Sequence, residues 1–330
     1  WRQIMVKAIK IHDFGGPEVL KMEETEIGSP GDDEVLIRQT AIGLNFLDIM
    51  VRLGKYPLLP ELPATPGAEA AGVIEAVGKN VSNFKVGERV AYAATIPGAY
   101  TEARVINCDQ IVKIPDGVSD EVAAATALKG MTAEYLVQRC YKASKGDVAL
   151  VHAAAGGVGQ ILCQWLNYIG VTVIGTTSSE NKKDIILSNG GQYAINSSTE
   201  DIADCIKKVT DGSGVDVVYD SVGPAVWLAS ISSLKPRGYY VNFGNSSGPL
   251  EPIDSVQLNT GGSLFFTKTS MRFYQLDRKE LENSAESLFG LIEKGILNPN
   301  ISQKYSLSDV AKAHKDIADK KTIGSSILIP

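Results

Sequence analysis

The stretch Val148-Ala-Leu-Val-His-Ala-Ala-Ala-Gly-Gly-Val-Gly159 decides how the rest of the chain is read. Four apolar residues suited to a buried strand run into a small-residue turn with three glycines. Ile161, Leu162, Trp165, Leu166 and Ile169 then recur at helical spacing. A second apolar strand, 171–176, follows at once. A strand, a glycine turn, an amphipathic helix and another strand form the opening of a dinucleotide-binding unit. Glycine lets the backbone approach a pyrophosphate, and the helix N-terminus offers it N–H donors and partial positive charge. Ala155, Gly156, Gly157 and Val158 are therefore expected to hold a dinucleotide. The same region, 148–179, carries no Asp, Glu, Lys or Arg. Its five glycines, two glutamines and changing period fit a buried βαβ segment better than a membrane span.

Downstream the alternation continues. Thr199 is placed to cap a helix whose Ile202, Cys205, Ile206 and Val209 share one face, with Gly212 at its close. Strands are expected at 215–219 and 238–243, with Pro224 in the first turn of the helix between them. This pattern predicts a doubly wound parallel sheet. Upstream, short β-rich runs at 6–12, 35–41, 72–77 and 89–92 sit among Gly, Pro and Asp clusters. They predict an irregular antiparallel domain to about residue 127. After Gly261 come a β-rich run at 263–269, a helix at 280–294 and a helix capped at Ser308. A final apolar strand, 326–329, needs a sheet, and the N-terminal β domain is its natural host. The predicted organisation is a β-rich domain of 1–128 and 268–330 around a Rossmann dinucleotide-binding domain of 129–267.

Composition narrows the function classes. The chain has 330 residues, 38 acidic against 32 basic, and a net charge of −6. That balance disfavours tight binding to nucleic-acid backbone. Four scattered cysteines without a CxxC pair suit neither a disulfide framework nor a zinc ribbon. The three histidines, His12, His152 and His314, lie far apart and are expected as half-buried packing or surface residues. Residues 1–10 contain no apolar export segment, so a cytoplasmic location is expected. Tyr141 and Lys145 spell YxxxK but precede the glycine turn, the wrong order for the short-chain dehydrogenase pair.

The end of the second strand, Gly175-Thr-Thr-Ser-Ser179, has no carboxylate before Glu180. Hydroxyls and an ammonium suit a 2′-phosphate that a carboxylate would repel. NADPH is therefore the expected cofactor, with Ser178 and Lys182 as contacts.

Gly146-Asp147-x-x-Leu150 through Ala154-Ala155-Gly156-Gly157-x-Gly159, with Gln164, resembles the quinone oxidoreductase signature of the medium-chain dehydrogenase/reductase superfamily. Gly43-Leu-Asn-Phe-Leu-Asp48, Gly67-Ala-Glu-Ala-Ala-Gly72, Tyr219-Asp-Ser-Val-Gly223 and Phe243-Gly-Asn-Ser-Ser-Gly248 agree with it. The chain departs from the pattern at Asn167, usually basic, and at Ser197, where bacterial relatives carry a tyrosine near the 2′-phosphate. The resemblance implies a GroES-like catalytic domain beside the Rossmann domain, with the active site in the cleft. It implies a quinone reductase; the sequence is compatible with one- or two-electron transfer, and the likeness to zeta-crystallin implies the one-electron route to a semiquinone. The alternatives are an alkenal or enone double-bond reductase and an NADPH-linked protein that binds AU-rich RNA or serves a structural role. Asn45, as a catalytic residue, and Thr132 are implied near the nicotinamide, and Tyr56, as a second catalytic residue, in the substrate cleft, its O–H either hydrogen-bonding an acceptor oxygen or donating a proton. Ser197 and Lys320 are implied at the phosphate end; Phe243, Gly244, Asn245 and Ser246 lie beyond a strand's carboxyl end, where ligands bind in open α/β sheets. Asp48 reads as a helix cap in preference to a proton relay. Asn45 and Ala68 stand where zinc-dependent relatives carry Cys and His, so no metal is expected. The 263–269 run is expected to pair across a two-fold axis in a homodimer.

Overall fold

The computed structural model describes residues 3–93 and 96–330. The chain divides into two compact units: 1–131, 275–293 and 299–330 form one, and 132–274 with 294–298 form the other.

In the first unit the sheet runs Ile301–Ser306, Ser325–Ile329, Glu34–Leu44, Glu69–Val77, Arg89–Ala93, Ile111–Lys113, and Ala103–Asn107 also pairs with Glu34–Leu44. The last strand of the chain lies antiparallel to Glu34–Leu44, as the apolar C-terminus required. Ile4–Lys10 and Lys21–Ile27 form a separate antiparallel pair. Ile9, Ile37, Ile42, Ile74, Tyr92, Tyr100 and Leu328 belong to one buried core. Two helices revise the sequence reading. Phe46–Arg52 interrupts the strands, and a long helix starts at Asp120, not near Lys129. Ser119 opens it, its hydroxyl accepting from Val122 N–H at 3.3 Å. Ala123, Ala124, Ala125 and Ala127 are all fully buried. With no polar side to set off an apolar stripe, this helix has no periodic signature.

In the second unit six strands are all parallel, in the order Tyr193–Asn196, Thr172–Thr177, Val148–Val151, Val215–Asp220, Leu234–Asn242, Phe265–Lys268. The chain winds outward from Val148–Val151 on one side, then returns to wind outward on the other. The ends of Val148–Val151 and Val215–Asp220 thus mark the switch point where such sheets bind ligands. The charge-free stretch becomes strand Val148–Val151, helix Gly157–Ile169 and strand Thr172–Thr177. No helix among the described residues is long and apolar enough to cross a membrane. Two caps differ from expectation. Asp201, not Thr199, caps Ile202–Val209 by accepting from Asp204 N–H. In the first unit, Ser306, not Ser308, opens the 307–309 turn before Val310–Ala318. In both cases an oxygen two or three residues before the amide makes the bond, and sequence alone offered several candidates.

Candidate active-site residues

The glycine turn begins under strain. Ala153 has φ of 50°, in the left-handed region that a Cβ disfavours. Its carbonyl accepts from Gly156 N–H at 2.9 Å, and Ala154 N–H donates to Thr176 O at 2.9 Å. A Cβ at Gly159 would lie 2.4 Å from Ala153 O and 2.6 Å from Ala154 Cα, so only glycine allows the helix to start this close. Gly156 is extended and no side chain caps Gly157–Ile169, leaving the first-turn amides for an anion. A dinucleotide pyrophosphate fits this cradle.

The other predicted contacts of this unit lie along the same sheet edge. Ser178 follows Thr172–Thr177, and Ser197 follows Tyr193–Asn196. Ser197 N–H donates to Thr177 O at 2.8 Å, and Ser198 Oγ donates to Ser178 O at 3.0 Å, so these neighbouring strand ends are tied together. Lys182 lies in the short turn Glu180–Lys182 beyond them. Phe243, Gly244, Asn245 and Ser246 follow Leu234–Asn242. Thr132 sits well inside Asp120–Tyr135, not at its start, and its hydroxyl lies 3.9 Å from Met271 Sδ.

The support beneath the 243–246 loop was not read from the sequence. Asp220 is fully buried; it accepts from Val222 N–H at 2.7 Å, Gly223 N–H at 3.0 Å, Tyr240 Oη–H at 2.5 Å and Asn242 Nδ2–H at 2.9 Å. Asn242 Nδ2 also donates to Gly244 O at 2.9 Å, and Lys268 Nζ donates to Asn242 Oδ1 at 2.5 Å. His152 is fully buried, not half-buried, between Thr176 Oγ1 at 3.0 Å and Ser230 Oγ at 2.8 Å. Burial pushes its pKa down to about 4.

In the first unit Asn45 precedes Phe46–Arg52 as its N-cap residue. Asp48 Oδ2 accepts from Asn45 N–H at 2.9 Å, which makes Asp48 the cap that the sequence suggested. The Asn45 carboxamide donates through Nδ2 to Glu69 Oε1 at 2.8 Å. Lys129 Nζ donates to the same oxygen at 2.6 Å, and Leu128 N–H donates to Glu69 Oε2 at 2.5 Å. Glu69 is wholly buried and Lys129 nearly so. Tyr56 is half-buried in the segment after the helix. Lys320 is exposed beyond Val310–Ala318, with φ of 57°.

A second buried chain starts at Asp48. Tyr100 Oη–H donates to Asp48 Oδ2 at 2.8 Å, His314 Nε2 lies 2.9 Å from Tyr100 Oη, and Arg52 NH1 donates to His314 Nδ1 at 3.1 Å. Because arginine can only donate, His314 is a neutral Nε2–H tautomer that donates onward to Tyr100. Asp48 Oδ1 is buried without a hydrogen-bond partner. Burial raises the Asp48 pKa to about 7, and burial beside Arg52 lowers that of His314 to about 3. His314 is therefore fully enclosed, against the half-buried or surface place expected of it. Among the described residues no group of three or more His, Cys, Asp or Glu could hold a metal, so the donor set does not fit zinc.

Residues 31–148 match the alcohol dehydrogenase GroES-like domain, and residues 157–288 match the zinc-binding dehydrogenase model. The fold and its uncapped glycine turn thus define a medium-chain dehydrogenase/reductase, a GroES-like domain joined to a Rossmann-type domain. A protein of Pseudomonas aeruginosa named quinone oxidoreductase is 43% identical over 326 residues, covering 99% of this chain and 100% of the relative. The structure of Escherichia coli quinone oxidoreductase complexed with NADPH superposes with a TM-score of 0.96 at 41% identity, covering 98% and 100% of the two chains. A 2-haloacrylate reductase from Burkholderia is 41% identical over 331 residues, covering 99% of each. The chain belongs to the quinone oxidoreductase family.

Proposed function

We propose that the protein is an NADPH-dependent quinone reductase that works without zinc. The observation that carries this reading is the uncapped glycine turn beside a second strand ending in Thr176-Thr-Ser-Ser179 without a carboxylate, in a chain over 40% identical along its length to quinone oxidoreductases. Bound NADPH supplies reducing equivalents to an acceptor that is already electron-poor. In this reading 129–267 is the NADP(H)-binding domain, and 1–128 with 268–330 is the catalytic domain. Ala155, Gly156, Gly157 and Val158 hold the pyrophosphate. Ser178, Lys182, Ser197 and Lys320 hold the phosphorylated adenosine end, whereas Asn45, Thr132, Phe243, Gly244, Asn245 and Ser246 surround the nicotinamide. Tyr56 orients the acceptor oxygen. The enzyme acts in the cytoplasm as a homodimer, through the edge strand Phe265–Lys268, whose Phe265 is half exposed.

The identity shared with 2-haloacrylate reductase supports a second reading, reduction of an activated carbon–carbon double bond. Turnover of a small quinone and of 2-chloroacrylate, each with NADPH and with NADH, separates the two. Faster quinone turnover with NADPH is expected; faster acrylate turnover selects the second reading, and equal use of NADH overturns the cofactor assignment. Lys182→Ala is expected to raise the KM for NADPH about tenfold, the loss of one charge-assisted phosphate contact, while leaving the KM for NADH unchanged.

A further inference from the structure

The Asn45 carboxamide is held from below by a buried ion pair that no local motif announces. A carboxamide can turn its oxygen or its nitrogen toward a neighbour, and the two differ little in shape. Here the neighbour is a carboxylate, wholly enclosed, so the NH2 end must face Glu69; the reverse orientation would set oxygen against oxygen. Lys129 Nζ donates to the same Oε1, and Leu128 N–H occupies Oε2. The approach also depends on Gly43, opposite Glu69 in the strand register. A Cβ there would lie 2.2 Å from Ala124 O and 2.3 Å from Glu69 Cγ and Oε1.

We propose that Glu69 and Lys129 are positioning residues that lock the Asn45 carboxamide in one orientation, and through it the nicotinamide ring. The inference rests on the placement of Asn45 at the nicotinamide given above. It assigns to a remote charge pair the choice of which C4 hydrogen leaves the ring. A pair that only supported the fold would affect stability and leave that choice intact.

The test uses the 330-residue chain with NADPH deuterated at one C4 position, read as the fraction of deuterium retained in the NADP+ formed (label passed to a quinone oxygen exchanges with water), together with the KM for NADPH. Glu69→Gln/Lys129→Met removes both charges and so leaves no unpaired one. It is expected to raise the KM for NADPH roughly tenfold and to mix the two C4 hydrogens. Lys129→Arg, which preserves the charge, is expected to transfer from one face only. If the double variant does not fold, Glu69→Asp gives the same readout, since it keeps the charge but withdraws it from Asn45 by one methylene. A folded double variant, or Glu69→Asp in its place, with unchanged KM and single-face transfer overturns the inference. Asn45→Ala separates the levels. If it too leaves both readouts unchanged, the placement of Asn45 at the nicotinamide fails; if it alters them while the pair variants do not, only the positioning role fails.

Discussion

The two units each bury a carboxylate completely, and they stabilise it by different means. In the first, Glu69 is neutralised by a cation, Lys129, with Asn45 and one backbone amide completing its shell. In the second, Asp220 is surrounded by neutral donors: two backbone amides, Tyr240 and Asn242. A single counter-ion concentrates the stabilisation in one side chain, whereas a ring of dipoles spreads it. The first arrangement fixes one amide direction with a strong field, and the second holds a loop in shape. Asp48 is a third case, a buried carboxyl beside Tyr100 with no cation bonded to it and one oxygen without a partner.

The contrast makes graded predictions. Lys129→Met leaves Glu69 buried and unpaired and is expected to cost about 3–5 kcal/mol of stability, measured by urea unfolding of the first unit. A loss below about 1 kcal/mol would show that Glu69 does not depend on its cation. Tyr240→Phe removes one of several donors from Asp220, so a smaller loss, about 1.5–3 kcal/mol, is expected. If the two losses are equal, the distinction between concentrated and distributed stabilisation disappears.

The smallest effect concerns Asp48. Its pKa is raised to about 7 in the folded chain, from 3.8, so the native state holds the extra proton between those values. Stability from this group is full below pH 3.8 and falls as pH rises toward 7. His314 acts in the opposite sense: with its pKa lowered from 6.5 to about 3, it destabilises the fold as pH falls through that interval. The Asp48 slope is therefore exposed above pH 6.5, where the wild type is expected to lose about 1 kcal/mol by pH 8. Asp48→Asn should flatten that slope, and an unchanged slope would mean that Asp48 is ionised throughout.

The parts of the molecule legible in the sequence are those built from neighbours in the chain. The strand, glycine turn and helix of 148–169 are continuous, and their periods change where the elements change. The charge-free second strand end is equally local. By contrast, Glu69 and Lys129 are sixty residues apart, and Arg52 and His314 more than two hundred and sixty. Only the sheet order brings them together. The first pair carried a signal at each partner: a lone acidic residue in the otherwise apolar stretch 69–74, and a lone lysine in an alanine-rich helix. Either is a charge that must find a partner if its element is buried. The start of Asp120–Tyr135 escaped for the converse reason, because burial on all sides erases the amphipathic pattern on which recognition depends.

The bend at Ala153 bears on speed as well as affinity. Its left-handed backbone is fixed by hydrogen bonds from Gly156 to Ala153 and from Ala154 to Thr176, within the protein itself. The conformational work of forming the turn proposed to seat the phosphates is thus completed as the chain folds. An arriving dinucleotide meets a receptor already in its final shape, and its capture can be governed by encounter instead of by rearrangement of the loop.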